Sequence, residues 1–362
     1  MGHSDAVSDV DGAVSGYVDL QEEREEPSPF LRSPTPSWRS VPVRRLLAVP
    51  LVAWCIALGG TSVAGTLDAT TREAPMSGPP KTEVAGASWA ARGLVAVAGG
   101  FADDSSPTRD LLLLDVESGE WSLGPDLPGN RDHAALAALG DSLYLVGGFT
   151  TGLTGATADV WMLAAPDGAW QEIAPMRTAR GALGATAIDG RILAVGGVDE
   201  RGRDLASTEW YDRDADTWTR GPALSRTRQH VGVAARGDTV YAIGGRSPNL
   251  DSVERLRFVG GAPVGRWRTA PSLGFSRSGN GAATVGAATA GVVCTAGGEE
   301  DTGTIAPIEC LRGGRWRHVA DMAVPRHGLA VVAVDDELHM VSGGPQPGFA
   351  FSRVHEVYRS AG

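Results

Sequence analysis

Six glycine pairs set the frame of this chain. "LVAVAGG" ends at Gly100, "SLYLVGG" at Gly148, "ILAVGG" at Gly197, "VYAIGG" at Gly245, "VVCTAGG" at Gly298 and "LHMVSGG" at Gly344. Successive pairs stand 48, 49, 48, 53 and 46 residues apart. A recurrent step of this size marks a repeat architecture. Two further residue types keep the register: Trp121, Trp170, Trp218, Trp267 and Trp316, and then Arg131, Arg180, Arg228, Arg277 and Arg326. Within a unit such as "DHAALAALGDSLYLVGG" followed by "ADVWMLAAPDGAWQEIAPM", short apolar strands are split by Gly-Asp and Pro-Asp-Gly turns. Strands of six to eight residues without helical periodicity predict an all-β chain of four-stranded units. A lone four-stranded sheet leaves a face bare, so the units are expected to pack radially as a six-bladed β-propeller. The glycines permit backbone geometry or close approach that a side chain would block. The tryptophans are expected to fill the space between blades.

The glycine pair, the spaced aromatic, the following tryptophan and the trailing "P-x-x-x-x-R" resemble the kelch repeat over about residues 68 to 362. The resemblance implies the fold and says little of the activity grafted onto it. The last unit ends at "RVHEVYRSAG", without a fourth strand, while "TTREAPM" (70–76) matches "WQEIAPM" (170–176). Residues 68–74 are therefore expected to pair with 353–358 and close the ring, removing a bare sheet edge.

Ahead of the propeller (66–362), residues 1–42 are acidic and proline-rich and are expected to be disordered. Residues 43–65, "VRRLLAVPLVAWCIALGGTSVAG", carry Arg44 and Arg45 before about 20 mostly apolar residues, enough to span a bilayer. Signal anchor and cleaved signal peptide remain open, with a small-residue cleavage site at Ser62 to Ala64. Either places the propeller outside the cytoplasm, periplasmic or secreted, with the N-terminus inside if residues 46–65 stay in the membrane. In an oxidising compartment Cys294 and Cys310, on neighbouring strands, are a candidate disulfide, with two free thiols as the other reading.

A net charge of -11 and the absence of a basic stripe exclude a nucleic-acid partner. Arg131, Arg180, Arg228, Arg277 and Arg326, with Lys81 near the sixth position, are expected to ring the central channel on the face that carries the variable loops. Their counter-charges are either local, from Asp132, Asp103, Asp199, Glu299 and Asp301, or a ligand carboxylate or phosphate gripped bidentately. His133, His230 and His327 stand beside these arginines in alternate blades, and His133 and His230 join the candidate ligand-binding set. A zinc ion needs nitrogens at about 2 Å, and a six-fold ring is expected to hold the histidines too far apart. No metal and no cofactor is expected.

Three functional readings follow. The first is a non-catalytic, monomeric binding module that presents the arginine face to a protein partner, an acidic peptide or an anionic glycan. The second is a sugar mutarotase or epimerase. In blade number, size and export the chain resembles the bacterial periplasmic sialic-acid mutarotases, and "PGNRDHA" (128–134) is similar to a run in them. That chemistry implies a carboxylate acid/base, for which Asp132 or Glu299 would serve. The third, a copper radical oxidase of the galactose oxidase type, is disfavoured, since Tyr144, Tyr211, Tyr241 and Tyr358 all hold ordinary repeat positions. No P-loop, nucleophile elbow or zinc motif occurs.

Overall fold

The computed structural model describes residues 69–246, 248–287 and 289–359. The leader and the apolar segment 43–65 lie outside the described residues. Among the described residues no helix is long and apolar enough to cross a membrane.

Among the described residues six antiparallel blades follow one another, with a separate two-stranded sheet of Lys81–Thr82 and Phe101–Ala102. The first blade is Ala85–Trp89, Leu94–Ala98, Leu111–Asp115 and Trp121–Leu123. The third, Gly184–Ile188, Arg191–Val195, Thr208–Asp212 and Thr217–Arg220, shows why the strands form. Its second strand is buried on both faces from Ile192 to Val195 and reads as a continuous β-favouring apolar run. Type-specific turns at Asp189–Gly190, both at positive φ, set the hairpin register.

The last blade is Ala330–Val334, Glu337–Val341 and His355–Arg359, completed by Ala69–Arg72 from the other end of the repeat region. Ala69 pairs with Arg359 and Arg72 with Glu356, and the Glu73 and Met76 amides donate to His355 and Arg353. The ring is closed as the "APM" match predicts. Glu73→Pro deletes one of these donors and is expected to lower stability by about 1 kcal/mol. Urea unfolding of the full chain, monitored by tryptophan fluorescence, reads it; an unchanged midpoint would mean that the donor at Glu73 adds nothing to closure.

The glycine pairs turn out to be blade-to-blade joints. The second glycine of each pair donates its N–H to the carbonyl of the next blade's arginine: Gly148 to Arg180, Gly197 to Arg228, Gly245 to Arg277 and Gly298 to Arg326, at 2.8–2.9 Å. At Gly196, φ is +62° and a Cβ would stand 2.3 Å from the Arg228 carbonyl oxygen. In the last blade the joint falls on Ser342 and Gly343 rather than Gly343 and Gly344: Ser342 takes φ +63°, and Gly343 donates to Lys81. Four of the repeat tryptophans also span blades, Trp170, Trp218, Trp267 and Trp316 donating to the carbonyls of Pro125, Ala174, Pro222 and Pro271. Cys294 and Cys310 are in register on adjacent strands of the fifth blade and are joined by a disulfide.

Candidate functional site

Each repeat cation is held by an acid at the start of its own blade's third strand. Arg180 pairs with Glu209 at 2.7 Å, Arg228 with Glu254 at 3.0 Å, Arg277 with Glu309 at 2.7 Å and Arg326 with Glu356 at 3.0 Å. Lys81 with Asp110 and Arg131 with Asp159 fill the remaining two places. The four Arg–Glu pairs are sealed from water, and the guanidiniums also cap strand carbonyls, as Arg228 does those of Gly244 and Ser252. Burial pushes Arg131, Arg180, Arg228, Arg277 and Arg326 below the ordinary guanidinium value. The counter-charges named from the sequence are therefore replaced by Asp110, Asp159, Glu209, Glu254, Glu309 and Glu356. These six acids recur in register in "RDLL", "ADVW", "TEWY", "VERL", "IECL" and "HEVY", a signal the sequence carried.

Two residues beyond each cation the chain takes a left-handed turn: Glu83, His133, Ala182, His230, Gly279 and Gly328 all have φ between 51° and 66°. The backbone of these residues forms a belt around the axis. His133 N–H donates to the Glu83 carbonyl, Ala182 to His133, His230 to Ala182, Gly279 to His230 and Gly328 to Gly279, and Val84 donates to Gly328 to complete the circle. The histidines are clustered, against the expectation that a six-fold ring holds them too far apart. Those residues precede the first strands and sit on a belt whose neighbours are joined directly by backbone hydrogen bonds. The His133 and His230 rings lie 4.7 Å apart, and Glu83, His133 and His230 offer donor atoms within 4.8 Å of one another. His327, one residue off the belt, sets Nε2 at 3.5 Å from Glu83 and 3.6 Å from Glu299.

Above this cluster opens a cavity of about 810 Å³. Glu83, Glu299, Glu300 and Asp301 give it an acidic wall, Arg246 a single cation, and Phe101 and Phe349 aromatic faces. None of the six paired cations lines it. His133 and His327 reach the cavity; His230 stands beneath, bonded to Arg246. Burial, with His133, Arg246 and His327 close by, keeps His230 well below the ordinary imidazole value. Asp132 is sealed against His133 and has no access to the cavity, whereas Glu299 has. Arg246 and Phe349 come from loops of unequal length and Glu300 from the extended end of the strand Val292–Glu300, so no repeat register announces them.

Comparison with known proteins completes the assignment. The Kelch motif family model matches residues 179–225. Kelch-like protein 35 of Mus musculus is 26% identical over 246 residues, 66% of this chain and 39% of its own. Kelch-like protein terF of Aspergillus terreus is 26% identical over 343 residues, 74% of this chain and 72% of its own. The solved structure titled "Structure of YjhT" superposes with a TM-score of 0.64 at 16% identity, over 78% of this chain and 95% of that one. This chain is a kelch-repeat β-propeller. It spans about a quarter to two fifths of the length of its animal kelch relatives. In kelch terms the glycine joint, the Arg–acid pair and the interblade tryptophan are frame, and the cavity at the channel mouth is what this chain adds to it.

Proposed function

We propose that this kelch propeller is an exported binding module whose channel-mouth cavity takes a basic side chain of a partner polypeptide. The observation that carries the reading is the charge of the cavity wall: Glu83, Glu299, Glu300 and Asp301 face Arg246 alone, between Phe101 and Phe349. Such a wall repels an acidic peptide or anionic glycan, and the arginine ring, spent on internal pairs, is unavailable to draw one in. A guanidinium or ammonium gains from the carboxylates and from an aromatic face; Phe349 is 54% exposed at the rim. Residence in an oxidising compartment is supported by the Cys294–Cys310 disulfide.

Titration calorimetry of the full chain with arginine-rich and glutamate-rich peptides of equal length tests this. The basic peptide is expected to bind, more weakly as salt is raised, and to lose affinity in Glu300→Gln/Asp301→Asn. Preference for the acidic peptide, or an unaffected double variant, would sink the reading. Sugar isomerisation is the second reading, favoured by the contact of His327 with both Glu83 and Glu299 at the cavity wall. Exchange of sugar anomers catalysed by the chain, with no peptide binding, would put it first.

A further inference from the structure

The hydrogen bonds of the three histidines fix their tautomers, and they fix all three the same way. His133 Nδ1 lies 2.7 Å from an Asp132 carboxylate oxygen, which accepts only. His327 Nδ1 faces the Gly344 carbonyl at 3.2 Å. His230 Nδ1 is 2.7 Å from Gln229 Oε1, whose amide is oriented by the bond from its Nε2 to Asp204. Every Nδ1 therefore donates outward, and every Nε2 is turned inward. The Arg246 bond to His230 Nε2, at 2.8 Å, confirms that this nitrogen is an acceptor, since a guanidinium only donates. Outward Nδ1–H bonds to carboxylate, carbonyl or amide oxygens are the arrangement that orients metal-ligating histidines.

Charge points the same way. Asp132 is fully buried, and its second oxygen has no hydrogen-bond partner. Glu83 stands on the far side of the same ring, with Oε2 3.3 Å from His133 Nε2. With neutral rings, Glu83, Asp132 and Glu299 against Arg246 leave two negative charges in excess at the neck of the channel. A lone pair facing a carboxylate at 3.3 Å is repulsive unless a positive charge lies between them. Two donor atoms about 2.0–2.1 Å from one tetrahedral ion stand about 3.3 Å apart.

From these observations the geometry points to a divalent transition-metal site at the channel neck, ligated by Glu83, His133 and His230. Two imidazoles and a carboxylate suit zinc-class ions rather than calcium or magnesium. Asp132 and Gln229 orient the ligands, and His327 backs the other Glu83 oxygen. Arg246 competes for His230 Nε2 and must turn wholly to Glu299, 3.2 Å from its Nη1, when the ion binds. The site shares Glu83 with the cavity wall of the peptide reading, and Glu300 and Asp301 stay free of the ligand set to face a bound side chain.

The test strips the full chain with a chelator and titrates it with Co²⁺, followed by visible ligand-field absorption and by Zn²⁺ displacement. One Co²⁺ per chain is expected, displaced by Zn²⁺. Saturable binding is expected to vanish in His133→Asn and His230→Asn, where Asn tolerates the left-handed backbone. Asp132→Asn is expected to weaken it about 10- to 100-fold. Arg246→Gln removes the competitor and is expected to tighten it, a gain that damaged folding does not produce. No stoichiometric uptake by the native chain, or uptake unaltered in the two histidine variants, would overturn the site and leave protons as the neutralising charge. Unaltered or weaker binding in Arg246→Gln would remove His230 from the ligand set.

Discussion

Arg277→Met is expected to lower the unfolding free energy by about 3–5 kcal/mol, because it leaves a buried charge without its partner. Arg277 is fully buried and donates to the carbonyls of Gly297 and Pro307, each at 3.0 Å, and to Glu309 at 2.7 Å. Burial opposes its charge strongly enough to pull the guanidinium down to about 10, with Glu309 acting against that shift. Removing the guanidinium strands Glu309, whose remaining support is the Gly274 N–H at 2.6 Å, and leaves two strand carbonyls short of donors. Roughly 2–4 °C of melting temperature per kcal/mol for a domain of about this size gives a drop of about 10 °C. The paired variant Arg277→Met/Glu309→Leu is expected to regain much of the loss, since an apolar pair often replaces a buried ion pair at little cost. Arg131→Met is expected to cost less, because its partner Asp159 is 41% exposed and water takes over. Urea denaturation of the three variants reads the ordering. A loss below about 1 kcal/mol for Arg277→Met would show that the pair is not what holds the blade entry.

That ordering was half visible in the sequence. The arginines announce themselves through the repeat, as do the glycine joints and the tryptophans, since each is one residue type at one place in every blade. Closure was legible for the same reason: "TTREAPM" repeats "WQEIAPM", and the strand it forms starts at Ala69. What the arginines do was harder to see. Their side chains turn into the blade toward Glu209, Glu254, Glu309 and Glu356, while a face-by-face reading of loops aimed them at the channel. The histidine cluster was misjudged because strand periodicity does not encode the left-handed turn at Glu83, His133 and His230, and that turn contracts the ring. Glu83 was missed altogether: it follows Lys81 before the first blade, where no glycine, tryptophan or arginine marks a repeat. The acidic wall is illegible for a different reason. Asp301 and Phe349 belong to loops free to differ between blades, Glu300 to an extension of the fifth blade's second strand, and only the folded ring brings them together.

Acid is expected to loosen the closing blade before the rest of the ring. His339 and His355 stack in that blade with ring centroids 5.3 Å apart, and both are buried. His355 Nδ1 donates to the Ala74 carbonyl, 3.3 Å away and just past the closing strand, so its Nε2 must accept from His339 Nδ1 at 3.0 Å. A proton added to His355 Nε2 would meet the N–H of His339. Burial first, and then His339, hold His355 down to about 4, and His339 is lowered as well, chiefly by burial. Glu337, 3.4 Å from His339 Nε2, and Glu73 act against these shifts, and Arg326 and Arg359 act with them. The unfolded imidazole titrates near 6.5. Between about 6.5 and about 4 the unfolded chain binds more protons than the folded one, so stability falls as pH falls through that window. For His355 alone the loss, complete below about 4, amounts to about 3 kcal/mol. His355→Gln is expected to flatten this part of the pH dependence. In the native chain at pH 4.5, hydrogen exchange of residues 69–76 is expected to rise ahead of exchange in the third blade. Equal acid slopes for the native chain and His355→Gln, or earlier exchange in the third blade, would place the acid-sensitive joint elsewhere. The closing strand would then be held by its backbone ladder alone, indifferent to the charge state of the two rings.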